Sequence, residues 1–242
     1  MKDISIQELK NTAVQMRMKV IDMIYKAQSG HPGGSLSAAD FVTACYFKYM
    51  NLDPRNPRWP DRDRMVLSKG HVCPIQYACL ASVGFFPESE LDTLRKEGSM
   101  LQGHPSMNKC PGIDISTGSL GQGISCAVGM ALAGKMDHKD YRVYTLLGDG
   151  EIEEGQVWEA SMFAGHRKLD NLVVIVDNNN MQIDGTLDEV CSPDPIDKKF
   201  EAFNFHVIHV ADGNDFAQLA EAFKEARETK GMPTAIIAHT VK

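Results

Sequence analysis

The chain is short of basic charge: 25 lysines and arginines face 32 acidic side chains, for a net charge of −7. With a pI near 5.6, it carries the wrong sign for nucleic acid or an anionic membrane surface. No Gly-Lys-Ser/Thr phosphate loop occurs, and no cysteine pair has Cys-x-x-Cys spacing. These absences exclude a P-loop nucleotide site and a zinc ribbon. The first residues, MKDISIQELKNTAVQMRMKVIDMIYKAQ, carry a charge every few positions, which excludes a signal peptide and a membrane span there. Internal repeats, low-complexity tracts and long linkers are missing too. Cys45, Cys73, Cys79, Cys110, Cys126 and Cys191 show no framework spacing and are read as reduced thiols of a cytoplasmic protein.

What is present suits one large domain over residues 1–242, with 43% hydrophobic residues to fill a core. Leu9, Ala13, Met16, Val20, Met23, Ile24 and Ala27 recur at spacings of three and four. That pattern predicts an amphipathic helix, stopped at SGHPGG by proline and glycine. Helices are expected over 36–50, 72–83 and 88–96 and through GQGISCAVGMALAGKM, with a short buried strand at MVLS. Beyond residue 141 the pattern alternates. YRVYTLLGDG, NLVVIVDNNN, FNFHVIHVADG and TAIIAHTV read as strands, with helices over 153–165 and 215–229. Apolar strands between amphipathic helices predict an α/β fold, a doubly wound, mostly parallel sheet with helices on both faces.

The stretch LLGDGEIEEG, residues 146–155, sets the chemical problem. Glycines after an apolar strand suit a phosphate, yet Asp149, Glu151, Glu153 and Glu154 would repel one. A cation between carboxylate and anion resolves the conflict. Asp149 and Asn179 lie thirty residues apart, the length of one strand–helix–strand unit, so neighbouring parallel strands bring both to one sheet edge. Carboxylate, amide and main-chain carbonyl oxygens are hard donors suited to Mg²⁺ or Ca²⁺. Gly148 and Gly150 are expected to leave room for the anion, and the following helix to offer free N–H groups. Taken separately, a Gly-Asp-Gly turn and an Asn run also serve simply as turn structure.

The surrounding text is more specific. SGHPGGSLSAAD, LSKGHVCPIQYACL, QGHPS, STGSLGQGISCAVGMALA, LLGDGEIEEGQVWEASMFAGHRKLDNL and IDGT follow in order along nearly the whole chain. They resemble the N-terminal, cofactor-diphosphate half of transketolase, a thiamine-diphosphate-dependent family with a metal-binding GDG…NN motif. The resemblance implies that Asp149, Asn179 and the Met181 carbonyl coordinate a divalent ion. By the same likeness Gly150, Asn179, His71 and the loop Gly118, Ser119 and Leu120 lie against the diphosphate. Ser119 stands where most members carry proline, which leaves the backbone contacts but loosens the loop. Glu154 matches a family acid linking two active sites across a subunit interface; as a first-turn helix acid it also suits the helix dipole.

Four of the eight histidines follow glycine: His31, His71, His104 and His166. Such loop imidazoles serve hydroxyl binding and proton movement near neutral pH, or are simply solvated. The family likeness gives His31 and His104 sugar-hydroxyl contacts. His166 has a helix-terminal explanation and is set aside with His138, His206, His209 and His239.

The resemblance further implies ketol transfer from a ketose phosphate to an aldose, with thiamine diphosphate and Mg²⁺ or Ca²⁺. The pyrimidine-binding and C-terminal domains, which carry the glutamate that activates the cofactor and most sugar-phosphate arginines, have no counterpart here. They are expected on a C-terminal partner subunit, in an α₂β₂ assembly with sites at interfaces. Relatives continue past AHTVK into a Gly-Lys-Gly segment and a further histidine, so the chain is expected to be truncated relative to them. Sulfosugar- or dihydroxyacetone-type transketolases share these motifs. Deoxyxylulose-phosphate synthase and dehydrogenase E1 subunits fit SGHPGGSLS and QGHPS less well. A non-catalytic scaffold that keeps metal-diphosphate binding is the rival of a different class.

Overall fold

A computed structural model of the chain describes residues 3–183 and 185–242; Asp184, within the IDGT segment, lies outside the described residues. Helix α1 (Ile6–Ala27) opens on a capping box, in which the Glu8 N–H donates to Ser5 Oγ at 3.2 Å and the Ser5 N–H donates to the Glu8 carboxylate at 2.8 Å. It buries Leu9, Ala13, Met16, Val20 and Met23, the stripe read from the sequence. The helix ends before Gly30, whose φ of +146° suits glycine. The PGG segment does not stay a loop. Pro32 opens α2 (Pro32–Ser37), because the first helical turn has no use for the missing N–H. Helix α3 (Ala39–Ala44) and a π turn (Cys45–Tyr49) follow. The helix expected over 36–50 is therefore a chain of three short pieces starting at Pro32.

Strand β1 (Arg64–Leu67) and α4 (Cys73–Val83) match expectation. The helix expected at 88–96 is a 3₁₀ turn over Glu88–Thr93. Helix α5 (Gly123–Met136), β2 (Val143–Gly148), α6 (Gly155–His166) and β3 (Leu172–Asn178) then alternate. Next come four elements that the sequence reading did not assign. Strands β4 (Met181–Gln182) and β5 (Gly185–Thr186) form an antiparallel pair, followed by α7 (Leu187–Val190) and α8 (Ile196–Ala202). Strand β6 (His206–Val210), α9 (Phe216–Glu228) and β7 (Thr234–His239) complete the described fold.

The main sheet runs β1-β2-β3-β7-β6, with every pairing parallel. Alternate side chains of β2 enter opposite cores. Tyr144 and Leu146 pack with residues of α1, α3, α4 and α9, whereas Val143 and Leu147 pack with residues of α5, α6 and α8. The doubly wound α/β arrangement is thus present. All six cysteines are free thiols, and among the described residues no helix is long and apolar enough to cross a membrane. The β2–β3 register sets Gly148 opposite Asp177, so the segments following both strands emerge side by side.

Candidate functional site

The carboxyl edge of the sheet collects polar groups from four strands. After β1 come Ser68, Lys69, Gly70 and His71; after β2, Asp149 and Gly150; after β3, Asn179; after β7, Thr240. The first turns of α2 bring His31 and Gly34 to the same edge, where Gly34 faces His71.

Asp149 is 2% exposed. Its Oδ1 accepts from the Gly150 N–H at 2.9 Å and its Oδ2 from the Asn180 N–H at 2.7 Å. Asn179 Oδ1 accepts from the Met181 N–H at 3.1 Å. The Met181 carbonyl receives the Lys242 ammonium at 3.4 Å, so a positive charge already stands against that oxygen. Burial pushes the Asp149 carboxyl upward, and the Gly150 and Asn180 N–H groups only partly oppose it. The site therefore holds a buried carboxylate whose charged form burial disfavours, beside amide and carbonyl oxygens, with the Lys242 ammonium on the Met181 carbonyl. This is a donor set that fits Mg²⁺ or Ca²⁺. Among the described residues, no three His, Cys, Asp or Glu side chains gather as a softer transition-metal site would require.

The acids of the loop have separate fates. Glu151 is buried, and its carboxylate accepts from the Ser68 hydroxyl, the Gly121 N–H at 2.9 Å and the Gly148 N–H at 3.0 Å. It fastens the segments after β1 and β2 to the one before α5. Burial raises its pKa first, and those three donors restrain the rise. The backbone N–H groups of Gly148 and Gly121 are thus taken by Glu151. The glycines also admit protein rather than open space. A Cβ at Gly148 would stand 3.3 Å from Lys69 Cδ, and one at Gly150 3.1 Å from the Gln182 side chain. Glu153 accepts from Gln182 Nε2 at 3.3 Å. Glu154 is exposed at the start of α6 and its side chain makes no capping bond. We expect Glu151→Ala, which strands two buried N–H groups, to lower unfolding free energy by about 2–4 kcal/mol in urea titration.

The glycine-preceded histidines His31, His71 and His104 converge. The His31 and His71 rings sit edge to face at 5.4 Å. The His104 ring lies against Gly118, where φ is +148° and a Cβ would stand 3.1 Å from the imidazole. Any other residue at 118 would be strained and would push His104 away. Thr117 Oγ1 ties this loop to β1 by donating to the Leu67 carbonyl at 2.7 Å. Ser119 and Leu120 face outward beyond it. Burial first, then the charges of Lys69 and the neighbouring histidines, lowers His71 to about 4. Burial, then Arg95 and His31, lowers His104. His71 is thus a neutral imidazole at pH 7. Elsewhere, His206 pairs with Glu225 at 2.6 Å, and His166 ends α6.

Sequence reasoning missed the cluster beneath this edge. Asp177, fully buried, is bonded to Lys69, Thr240 and, at 2.5 Å, the Ser37 hydroxyl. The one available signal was an acid closing the apolar run VVIVD.

The chain matches the family described as transketolase, thiamine diphosphate binding domain, over residues 9–242. It is 48% identical over 235 residues to the 6-deoxy-6-sulfo-D-fructose transketolase subunit of Clostridium sp. (strain MSTE9), covering 97% of this chain and 85% of that protein. Against one of the subunits of apulose-4-phosphate transketolase from Phocaeicola vulgatus the identity is 40%, covering 98% and 84%. Rat transketolase is 48% identical, but the chain spans only 37% of its length. The solved transketolase of Campylobacter jejuni superposes with a TM-score of 0.92 at 35% identity, covering 98% of this chain and 38% of that one.

Proposed function

Because the chain belongs to the transketolase family as its thiamine diphosphate-binding domain, we propose that it is the N-terminal subunit of a two-chain transketolase. With a partner subunit it transfers a two-carbon ketol unit from a ketose to an aldose, using thiamine diphosphate and a divalent metal ion. The observation that carries this reading is the pairing of β2 with β3, which sets Asp149 Oδ2 2.7 Å from the Asn180 N–H and so beside Asn179.

In this reading Asp149, Asn179 and the Met181 carbonyl hold Mg²⁺. Gly150, Asn179, His71 and the Gly118–Ser119–Leu120 loop bind the diphosphate. A neutral His71 can donate one hydrogen bond to a phosphate oxygen without adding charge. When bound, thiamine diphosphate supplies the electron sink for breaking the ketose carbon–carbon bond. His31 and His104 orient sugar hydroxyls, and a neutral imidazole nitrogen accepts the proton released there. Glu154, exposed at the start of α6, is assigned to the subunit interface that links two sites.

The pyrimidine-binding and C-terminal domains are assigned to the companion chain, in an α₂β₂ assembly acting in the cytoplasm on sugar phosphates. Support for a companion comes from relatives that are themselves named as subunits and are matched over 84–85% of their length. A second reading concerns the sugar. Rat transketolase and the sulfofructose transketolase subunit share the same 48% identity with the chain, so a sulfonated donor stands beside an ordinary ketose phosphate.

The test is a ketol-transfer assay with this chain alone, its companion alone and both together, offering an ordinary ketose phosphate, 6-deoxy-6-sulfo-D-fructose and apulose 4-phosphate as donors. Turnover is expected only from the pair. Full turnover by this chain alone would overturn the shared-site reading.

A further inference from the structure

We infer that Asp177 is the positioning residue of the metal site: it fixes which end of the Asn179 amide faces the ion. The inference rests on the reading of Asp149, Asn179 and Met181 as the ligands.

Asp177 ends the buried part of β3, in register with Gly148. Its carboxylate is held from three separate segments: Lys69 after β1, Ser37 in α2 and Thr240 after β7. Lys69 and Asp177 have side-chain exposures of 3% and 0%. Neither can turn to solvent, so each fixes the other.

Asn179 meets this cluster from outside. Its Nδ2 donates to Asp177 Oδ2 at 3.4 Å and to Ser37 Oγ at 3.5 Å. The Ser37 hydroxyl has one proton, shared between Asp177 Oδ2 at 2.5 Å and the Gly34 carbonyl at 3.1 Å. Both groups therefore present lone pairs to Asn179. An amide flipped by half a turn would set its oxygen against two acceptors while its NH₂ faced the Met181 N–H. The cluster permits one orientation, with Nδ2 inward and Oδ1 toward the Met181 N–H. A cation needs that oxygen, and it would be repelled by the NH₂. Such an outer shell typically governs metal affinity by about 10- to 100-fold.

The test uses the chain with its companion. Calorimetry gives the thiamine diphosphate Kd in Mg²⁺ and in EDTA, and the ratio of the two is the metal-linked gain. Replacing Asp177 alone would strand the buried Lys69 charge, so the variant is the neutral double replacement Lys69→Met with Asp177→Leu. Its metal-linked gain is expected to fall roughly 10- to 100-fold. A merely structural role, or loss of the Lys69 charge, would alter both Kd values together and leave the ratio at its wild-type value; that result overturns the inference. If the double variant does not fold, Ser37→Ala reads the same ratio. A several-fold fall is expected, and an unchanged ratio again overturns the inference. A wild-type protein with no metal-linked gain would defeat the ligand assignment itself, a failure distinct from either of these.

Discussion

Asp149→Asn is expected to weaken thiamine diphosphate binding in Mg²⁺ by at least about 100-fold, beyond the usual cost of disturbing an outer-shell partner, while the protein stays folded. Each of the two oxygens of Asp149 already faces one backbone N–H. Asparagine has nearly the same shape but must turn its NH₂ toward one of those donors, costing about 1–3 kcal/mol. Against that, the substitution removes a carboxylate whose charged form burial already disfavours. The two effects oppose, so the melting temperature should move by only a few degrees. Binding has no such compensation. In the proposed site the divalent ion would lose the one anionic group among its assigned ligands, and the diphosphate would then face a chain of net charge −7 without a bridge. Calorimetry with and without chelator, beside a melting curve, checks both parts. Equal binding by wild type and variant in Mg²⁺ would remove Asp149 from the site.

The same buried loop shows what a sequence discloses and what it withholds. Parallel strands buried on both faces announce themselves by unbroken apolar runs such as LVVIV, and they were located within a few residues. The thirty-residue step from Asp149 to Asn179 needed only the geometry of one strand–helix–strand unit. Short elements give no period to read. The β4–β5 pair has two residues per strand and α7 has four in all, so nothing in their composition separates them from loop. The segmented helix from Pro32 was obscured for another reason: its proline sits at the one helical position where proline is welcome.

Within the candidate site, local text pointed to Asp149, Asn179 and the loop histidines and missed the buried residues that hold those segments in place. Glu151 reads as one acid among four, and only its tertiary partners Ser68, Gly121 and Gly148 separate it from its neighbours. Asp177 reads as the end of a strand. Its cation partner is 108 residues away in sequence and its hydroxyl partner in α2 is 140 residues away, and no local pattern encodes those distances. The three histidines were legible because each follows a glycine. Their convergence was not, since it depends on α2, the 3₁₀ turn Gly70–Val72 after β1 and the Gly118 loop meeting at one sheet edge.

That convergence carries the remaining large effect. His104→Ala is expected to lower kcat/KM for ketol transfer by roughly 100- to 1000-fold, the usual share of general acid–base catalysis. Thiamine diphosphate affinity should change far less than turnover, because the ring contacts no proposed metal ligand and meets the proposed diphosphate loop only at Gly118, where it supplies packing and no bond to the cofactor. The pH profile gives an independent reading. A base works only when deprotonated, so the acid limb marks its pKa. Burial, then Arg95, then His31 lower the His104 value, which places the limb below the ordinary histidine value near 6.5. Replacing Arg95 with Gln removes one of those charges, so the His104 pKa rises and the limb moves to higher pH. His71, held at about 4 by burial, is neutral across the working range and should contribute no limb between pH 6 and 8. A limb that ignored Arg95→Gln while His104→Ala still abolished turnover would make His104 a steric support for the sugar rather than its base.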